Sequence, residues 1–402
     1  MPVVDVAIVG GGIIGLATAM ELLARWPGRR LIVLEKERSL LAHQTSHNSG
    51  VIHSGIYYRP GSVKARTCVS GARLLIEFCQ AQRIPYAVCG KVVVATRAEE
   101  LPALKELYRR GLANGVPGLS LIGPERLREL EPHARGVRAL HVPGVGVVDY
   151  ARVARAFADA IQAAGGAVRT SARVIRLLRK GGAWRLETSA GDVEARFLIT
   201  CAGLQADRVA RMSGGPPDLQ IVPFRGEYYE LAPERSGLVK SMIYPVPDAA
   251  LPFLGVHFTR SIQGGVHAGP NAVLALKREG YRKTDVDAKD VVQMVRYRGF
   301  WSMASRYWKV GLEEAWRSWS KRAFVRALQR LVPEVTAADL RPGASGVRAQ
   351  AVDRQGGLVD DFRIERGEAV IHVCNVPSPA ATASIRIGQL IADMAAAASG
   401  FS

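Results

Sequence analysis

The chain has 402 residues, 48% of them hydrophobic and 22% charged, enough core-forming material for two or three domains and too much for a disordered chain. Its apolar runs, such as residues 3–20, are broken by Asp5 and by glycines, which excludes a plain membrane span of about 18 apolar residues. The net charge of +18 would suit nucleic acid or an anionic membrane, yet no zinc finger, basic zipper or aromatic RNA-binding signature accompanies it, so no nucleic-acid partner is expected.

In chain order, residues 3–9 (Val-Val-Asp-Val-Ala-Ile-Val) read as a buried parallel strand. Gly10-Gly11-Gly12-Ile13-Ile14-Gly15 follows, then a helix over 16–25 and a second strand over 31–34 that ends at Glu35. Strand, G-x-G-x-x-G, helix, strand and acid form a complete dinucleotide-binding unit, far more specific than the glycines alone. Gly10 permits the tight turn, Gly12 lets the backbone approach a pyrophosphate, and Gly15 allows close helix packing. The phosphates would lie at the positive end of the helix, and Glu35 would accept from the ribose hydroxyls. FAD and NAD both use this fingerprint.

After Lys36 comes a polar, glycine-punctuated stretch, Ser46-His47-Asn48-Ser49-Gly50-Val51-Ile52-His53-Ser54-Gly55-Ile56-Tyr57-Tyr58. Such a segment can run beneath a pyrophosphate and a flavin ring. It resembles the signature of the L-2-hydroxyglutarate oxidase/dehydrogenase family, FAD-dependent oxidoreductases resembling D-amino-acid oxidase. The resemblance implies one bound FAD and an α/β and α+β architecture: a Rossmann-like FAD-binding domain with a second, β-rich substrate domain. The expected boundaries are 1–88, 141–215 and 340–402 for the first domain, and 89–140 and 216–339 for the second.

Further along, residues 153–164 show helical periodicity. Residues 167–178 read as two short strands around Val174, which the resemblance places against the adenine. A strand over 196–200 leads into Cys201-Ala202-Gly203, similar to the family's second cofactor-proximal motif. Short strands are expected at 223–231 and 252–260. Residues 370–373 form a strand before Asn375-Val376-Pro377-Ser378-Pro379-Ala380-Ala381-Thr382, which departs from the family's block by valine at 376. Ser378 reads as an N-cap and Pro379 as the first residue of an alanine-rich helix. The resemblance assigns cofactor contacts to Gly10, Gly12, Ile14, Gly15, Glu35, Lys36, Ser46, His47, Asn48, Ser49, Val174, Cys201, Ala202, Gly203, Asn375, Pro377, Ser378, Pro379, Ala380 and Ala381.

The implied reaction oxidises a small dicarboxylic 2-hydroxy acid, L-2-hydroxyglutarate, to 2-oxoglutarate, with a hydride leaving C2 for flavin N5. A base must take the hydroxyl proton, and His53 and His257 are the two candidates. Arginine offers a bidentate fork for carboxylates. Arg348 is expected to hold the carboxylate next to C2, with Arg225, Tyr228 and Arg260 considered for the distal one. An amine or amino-acid oxidase of the same superfamily is the alternative enzyme. A flavin-bearing membrane-binding module without turnover is the alternative class.

Residues 296–330 hold four of the six tryptophans and nine basic residues against Glu313 and Glu314. Trp301, Trp308, Leu312, Trp319 and Ala323 fall near one helical face. That pattern suits docking on an anionic bilayer, with a quinone as electron acceptor; the alternative is a helix packed on the core with a solvated basic face. Cys68, Cys79, Cys89, Cys201 and Cys374 show no metal or redox spacing, and the chain opens on a strand without a basic leader. The expectation is a cytoplasmic protein without bound metal, peripheral on the cytoplasmic face of the inner membrane if the tryptophan segment docks.

Overall fold

Two large sheets, each built from segments far apart in sequence, divide the molecule. The computed structural model describes residues 3–215, 218–248 and 254–399. The first sheet has eight strands, and its path runs Val174–Lys180, Ala183–Thr188, Val193–Thr200, Val4–Val9, Leu31–Leu34 and Ala167–Arg169. Val370–Asn375 joins it in parallel beside Val193–Thr200 and carries Arg363–Gly367 antiparallel on its other side. Leu31–Leu34 and Val370–Asn375 are buried along their whole length. That is what a parallel sheet covered on both faces requires, and it explains their unbroken apolar runs.

On one face pack the helices Ile13–Arg25, Val63–Ala81, Tyr150–Ala163 and Ser384–Ser399, around a core that includes Leu16, Leu23, Phe157, Ile161, Ile387 and Ile391. Asp149 caps Tyr150–Ala163 by accepting from the Ala151 and Arg152 amides, one turn earlier than periodicity alone suggests.

The second sheet has nine strands. Leu340–Asp353 pairs antiparallel with Leu219–Leu231, and the order continues through Val266–Gly269, His257–Arg260, Met242–Pro245, Lys91–Ala95, Arg138–Val142 and Ser120–Ile122. Its two faces follow the period of two. Val92, Val94, Ile243, Phe258 and Ala268 pack on Phe324, Val325 and Leu328 of the helix Lys321–Gln329. The alternate positions Val93, Met242 and Tyr244 pack with Val51 and Ile56 of the cofactor half. A three-stranded sheet of Val51–Ile52, Gly146–Val148 and Tyr86–Val88 sets the chain at residue 53 between the two large sheets.

Four expectations are corrected. Residues 340–353 belong to the second sheet, not to the cofactor domain, because their ladder with Leu219–Leu231 runs the length of both strands. The C-terminal helix begins at Ser384, so Ser378 is not its N-cap; residues 378–383 wind as turns instead, with the Ser378–Pro379 peptide cis. The strand expected at 252–260 is confined to His257–Arg260; residues 252 and 253 lie outside the described residues. The tryptophan segment is two helices, Arg298–Trp319 and Lys321–Gln329, with Ser320 between them capping the second, so Ala323 does not share the tryptophans' helix. No described helix is long and apolar enough to cross a membrane.

Candidate active site

The cofactor side is built mostly from backbone. Gly10 has φ +114°, and a Cβ there would overlap the Cys201 carbonyl; a Cβ at Gly15 would overlap the Gly10 carbonyl oxygen. Gly12 differs, since a Cβ there would meet Thr45 Oγ1 at 3.6 Å and nothing closer. Its freedom from side chain therefore leaves room for something outside the protein. Gly12 is also the N-cap of Ile13–Arg25, a helix with no capping side-chain bond and no acid in its first turn. Its positive end is thus open to an anion. Thr45 Oγ1 accepts from the Ile13 amide at 3.1 Å. Glu35 accepts from the Gly11 amide through Oε2 and the Glu37 amide through Oε1, both at 2.9 Å, which fixes its carboxylate beside the glycine turn. A helix end without an acid, an unfilled space over Gly12 and an oriented acid beside the turn fit the pyrophosphate and ribose of FAD.

The other cofactor candidates gather around this turn. The Cys201 amide donates to Val9 O at 2.7 Å, which draws Cys201-Ala202-Gly203 against the loop. Burial pushes the Cys201 thiol up to about 12, so it is inert. Val174 begins its strand in the same apolar cluster as Ala7, Val9 and Leu34, and Ala172 N bonds to Glu35 O. Lys36 is held by the protein itself: it pairs with Glu37, and Nζ lies 3.0 Å from both Glu279 Oε2 and His43 Nε2. Glu37, His43 and Glu279 converge as metal ligands could, but the Lys36 ammonium stands among them.

Asn48 closes its own segment, donating to Gln44 O and Thr45 O and accepting from the Gly50 amide, with Ser49 inside that turn and the Ser46 amide bonded to His43 O. His47 stacks on Tyr281 at 4.1 Å between centroids, with Nδ1 2.9 Å from Ser345 O. Asn375 likewise serves the fold, donating to Val359 O and Asp361 O at 3.0 Å. The turns after it, where Ala380 N bonds to Pro377 O and Ala383 N to Pro379 O, carry Ser378 and Thr382 to the segment at residue 53.

There the substrate side begins. Thr382 Oγ1 accepts from the His53 amide at 3.1 Å and lies 2.8 Å from the Tyr150 hydroxyl; Ser378 Oγ is 3.3 Å from His53 Nε2. Facing them, His257 is buried against Tyr244, with ring centroids 3.8 Å apart and the planes tilted by 31°, and its Nδ1 is 2.8 Å from Gly255 O. A carbonyl can only accept, so Nδ1 carries the proton and Nε2 is left as an acceptor. Burial holds both imidazoles down at about 3, and the charges of Lys91 and Arg348 add to this at each, so both are neutral near pH 7. Burial also raises the Tyr228 hydroxyl, while Arg348 opposes that shift. Arg348, opposite Phe224 in the ladder, thus acts on His53, His257 and Tyr228 together.

Two arginines expected here are engaged elsewhere. Arg225 is buried, with Nε and Nη2 donating to Glu227 Oε1 and Nη1 to Arg282 O. Arg260 is three residues from His257 on a regular strand, so it points to the opposite face, and its Nη1 donates to Val239 O. Sequence reasoning missed Lys91, Tyr244, Thr382 and Tyr150 as site-lining groups. Lys91 left one signal, a cation at the head of the otherwise apolar strand Lys-Val-Val-Val-Ala.

The cradle at residues 10–15 and the wall of His257, Tyr244, Tyr228 and Arg348 on the second sheet fit a flavin enzyme that removes hydrogen from a small anionic substrate. The profile of the FAD dependent oxidoreductase (DAO) family matches residues 5–394, and the chain belongs to that family. It is 50% identical over 392 residues to an L-2-hydroxyglutarate dehydrogenase of Indibacter alkaliphilus, covering 97% of this chain and 98% of that one. It is 48% identical to the mitochondrial L-2-hydroxyglutarate dehydrogenase of Homo sapiens, covering 97% and 88%. Among solved structures, an FAD-bound L-alpha-glycerophosphate oxidase from Mycoplasma pneumoniae superposes with a TM-score of 0.80 at 22% identity, over 98% of this chain and 95% of that one. At that identity the likeness speaks for the fold.

Proposed function

We propose that this protein oxidises L-2-hydroxyglutarate to 2-oxoglutarate. The observation that carries the reading is the convergence of two neutral imidazoles and Arg348 next to an FAD cradle, in a chain half identical to L-2-hydroxyglutarate dehydrogenases. FAD, when bound, supplies the acceptor for the hydride from C2. Arg348 holds the carboxylate next to C2 and so fixes which hydrogen is presented. His257 Nε2 takes the hydroxyl proton, its tautomer set by the bond to Gly255 O. His53 stands beside it with Ser378. An incoming dianion offsets the Lys91 and Arg348 charges that depress both imidazoles, raising their basicity at the moment it is needed. Adding L-2-hydroxyglutarate to the yellow protein without oxygen should bleach the flavin and release 2-oxoglutarate. Bleaching by an amino acid and not by the hydroxy acid would replace this reading.

We also propose that the protein docks on an anionic membrane and passes its electrons to a quinone there; what supports the docking is the exposed face of one helix. On the helix Arg298–Trp319, Phe300 and Met303 turn inward, while Trp301, Trp308, Leu312, Trp316 and Trp319 are 56–75% exposed. Five large apolar side chains left in water on a basic helix suit the headgroup boundary. Binding to anionic vesicles at low salt, release at high salt and faster reduction of a soluble quinone than of oxygen are expected. No vesicle binding at low salt would reject the docking.

A further inference from the structure

One cation of the pocket, Lys91, lowers the basicity of both histidines but has been given no group of its own to bind. Lys91 begins a strand in which all five residues are buried, and it is itself only 1% exposed. Its Nζ lies over two rings, 4.6 Å from the Tyr57 centroid and 4.7 Å from that of Tyr244, with the Tyr57 hydroxyl at 3.4 Å. No carboxylate among the described residues forms an ion pair with it. Ring faces hold a cation without neutralising it, and a buried ammonium without a counter-ion is costly. A protein fold alone has no use for such an arrangement, whereas an anionic ligand would complete it.

The sheet register shows where that ligand must lie. Tyr244 pairs with Val93, two residues from Lys91 and therefore on the same face. Met242 pairs with Thr259 and Ile243 with Phe258, so the next step brings His257 beside Tyr244, as the 3.8 Å between their ring centroids confirms. Lys91, Tyr244 and His257 thus line one face, and the Lys91 and Arg348 charges each act on both His53 and His257. Both cations act on both histidines, and the strand of His257 lies between theirs in the sheet, Arg348 being on Leu340–Asp353 and Lys91 five strands away on Lys91–Ala95.

We propose that Lys91 binds the substrate carboxylate remote from C2 and so makes the pocket select dicarboxylic over monocarboxylic 2-hydroxy acids. This role builds on the hydroxyglutarate reading and replaces the one considered for Arg225 and Arg260. Burial holds the free ammonium down to about 7, as expected of a group waiting for its counter-ion.

The test compares holoenzymes carrying Lys91 or Lys91→Met, a change that keeps the chain length and removes a buried charge. Lys91→Gln serves if the methionine variant fails to retain FAD. Binding is read from the flavin spectrum with glutarate, which lacks the reacting hydroxyl, and with pentanoate, which also lacks the second carboxylate. Glutarate should bind at least 20-fold more weakly to the variant, with pentanoate unchanged within twofold. The preference in kcat/KM for L-2-hydroxyglutarate over L-2-hydroxypentanoate should fall about 10²-fold, mainly through KM. Equal losses for both acids, or unchanged glutarate binding, would overturn the proposal. If L-2-hydroxyglutarate fails to reduce the wild-type flavin, the substrate reading falls, and glutarate against pentanoate still decides the role of Lys91.

Discussion

The glycine turn and the wall of the second sheet solve opposite problems. The turn at residues 10–15 offers main chain: amides, a helix end and a lack of side chains. The wall offers side chains, with Lys91, Tyr244, His257, Tyr228 and Arg348 delivered by five different strands. A backbone cradle can be written in six consecutive residues. A side-chain wall exists only once the strands have found their register, because a slip of one residue would turn His257 and Tyr244 to the other face.

The contrast breaks most sharply at the glycines. Gly15→Val should remove both FAD and the fold, since the new side chain must displace the Gly10 carbonyl. Gly12→Val should give folded but colourless protein, because its side chain enters space that the protein leaves open. Absorbance and circular dichroism on both variants would show it; full FAD occupancy in Gly12→Val would contradict the cradle.

On the wall, Arg348→Ala should keep FAD and lose about 10²-fold in kcat/KM, the usual scale for removing one partner of a charged hydrogen-bonded pair. Steady-state kinetics with FAD content measured in parallel would check it.

How much of this was legible beforehand follows the same division. The βαβ unit was readable because its period, glycines and acid lie in one stretch, and Leu31–Leu34 falls where the apolar run put it. Arg225 misled because an arginine in a strand looks the same whether it faces a substrate or, as here, Glu227 two residues on. Ser378-Pro379 has the chemistry of a helix start, yet the chain delays the helix to Ser384 and uses the intervening turns to bring Thr382 to the His53 amide and the Tyr150 hydroxyl. Local propensity lost to a tertiary contact. Lys91 was hidden for the simplest reason: nothing local says that a lysine at the head of a valine strand will be buried.

A smaller effect separates the wall from the cradle by pH. His53 and His257 bind a proton in the folded protein only near pH 3, but near their ordinary value once unfolded. Between about pH 6.5 and 3 the unfolded chain therefore binds more protons, and stability should fall as pH falls through that window. Denaturation midpoints should show a shallower loss for His257→Asn than for the wild type. The smallest effect belongs to Arg260→Ala, which should change kcat/KM less than threefold, since its side chain lies on the far face of its strand. A loss above tenfold would put Arg260 back in the pocket.

The central claim is that the wall performs a proton transfer that the cradle does not need in order to hold FAD. Stopped-flow reduction of His257→Ala holoenzyme by L-2-hydroxyglutarate without oxygen tests it most directly. Reduction should slow by about 10²–10⁴-fold with one FAD per chain retained. Reduction within tenfold of the wild-type rate, or loss of the FAD along with the rate, would contradict it.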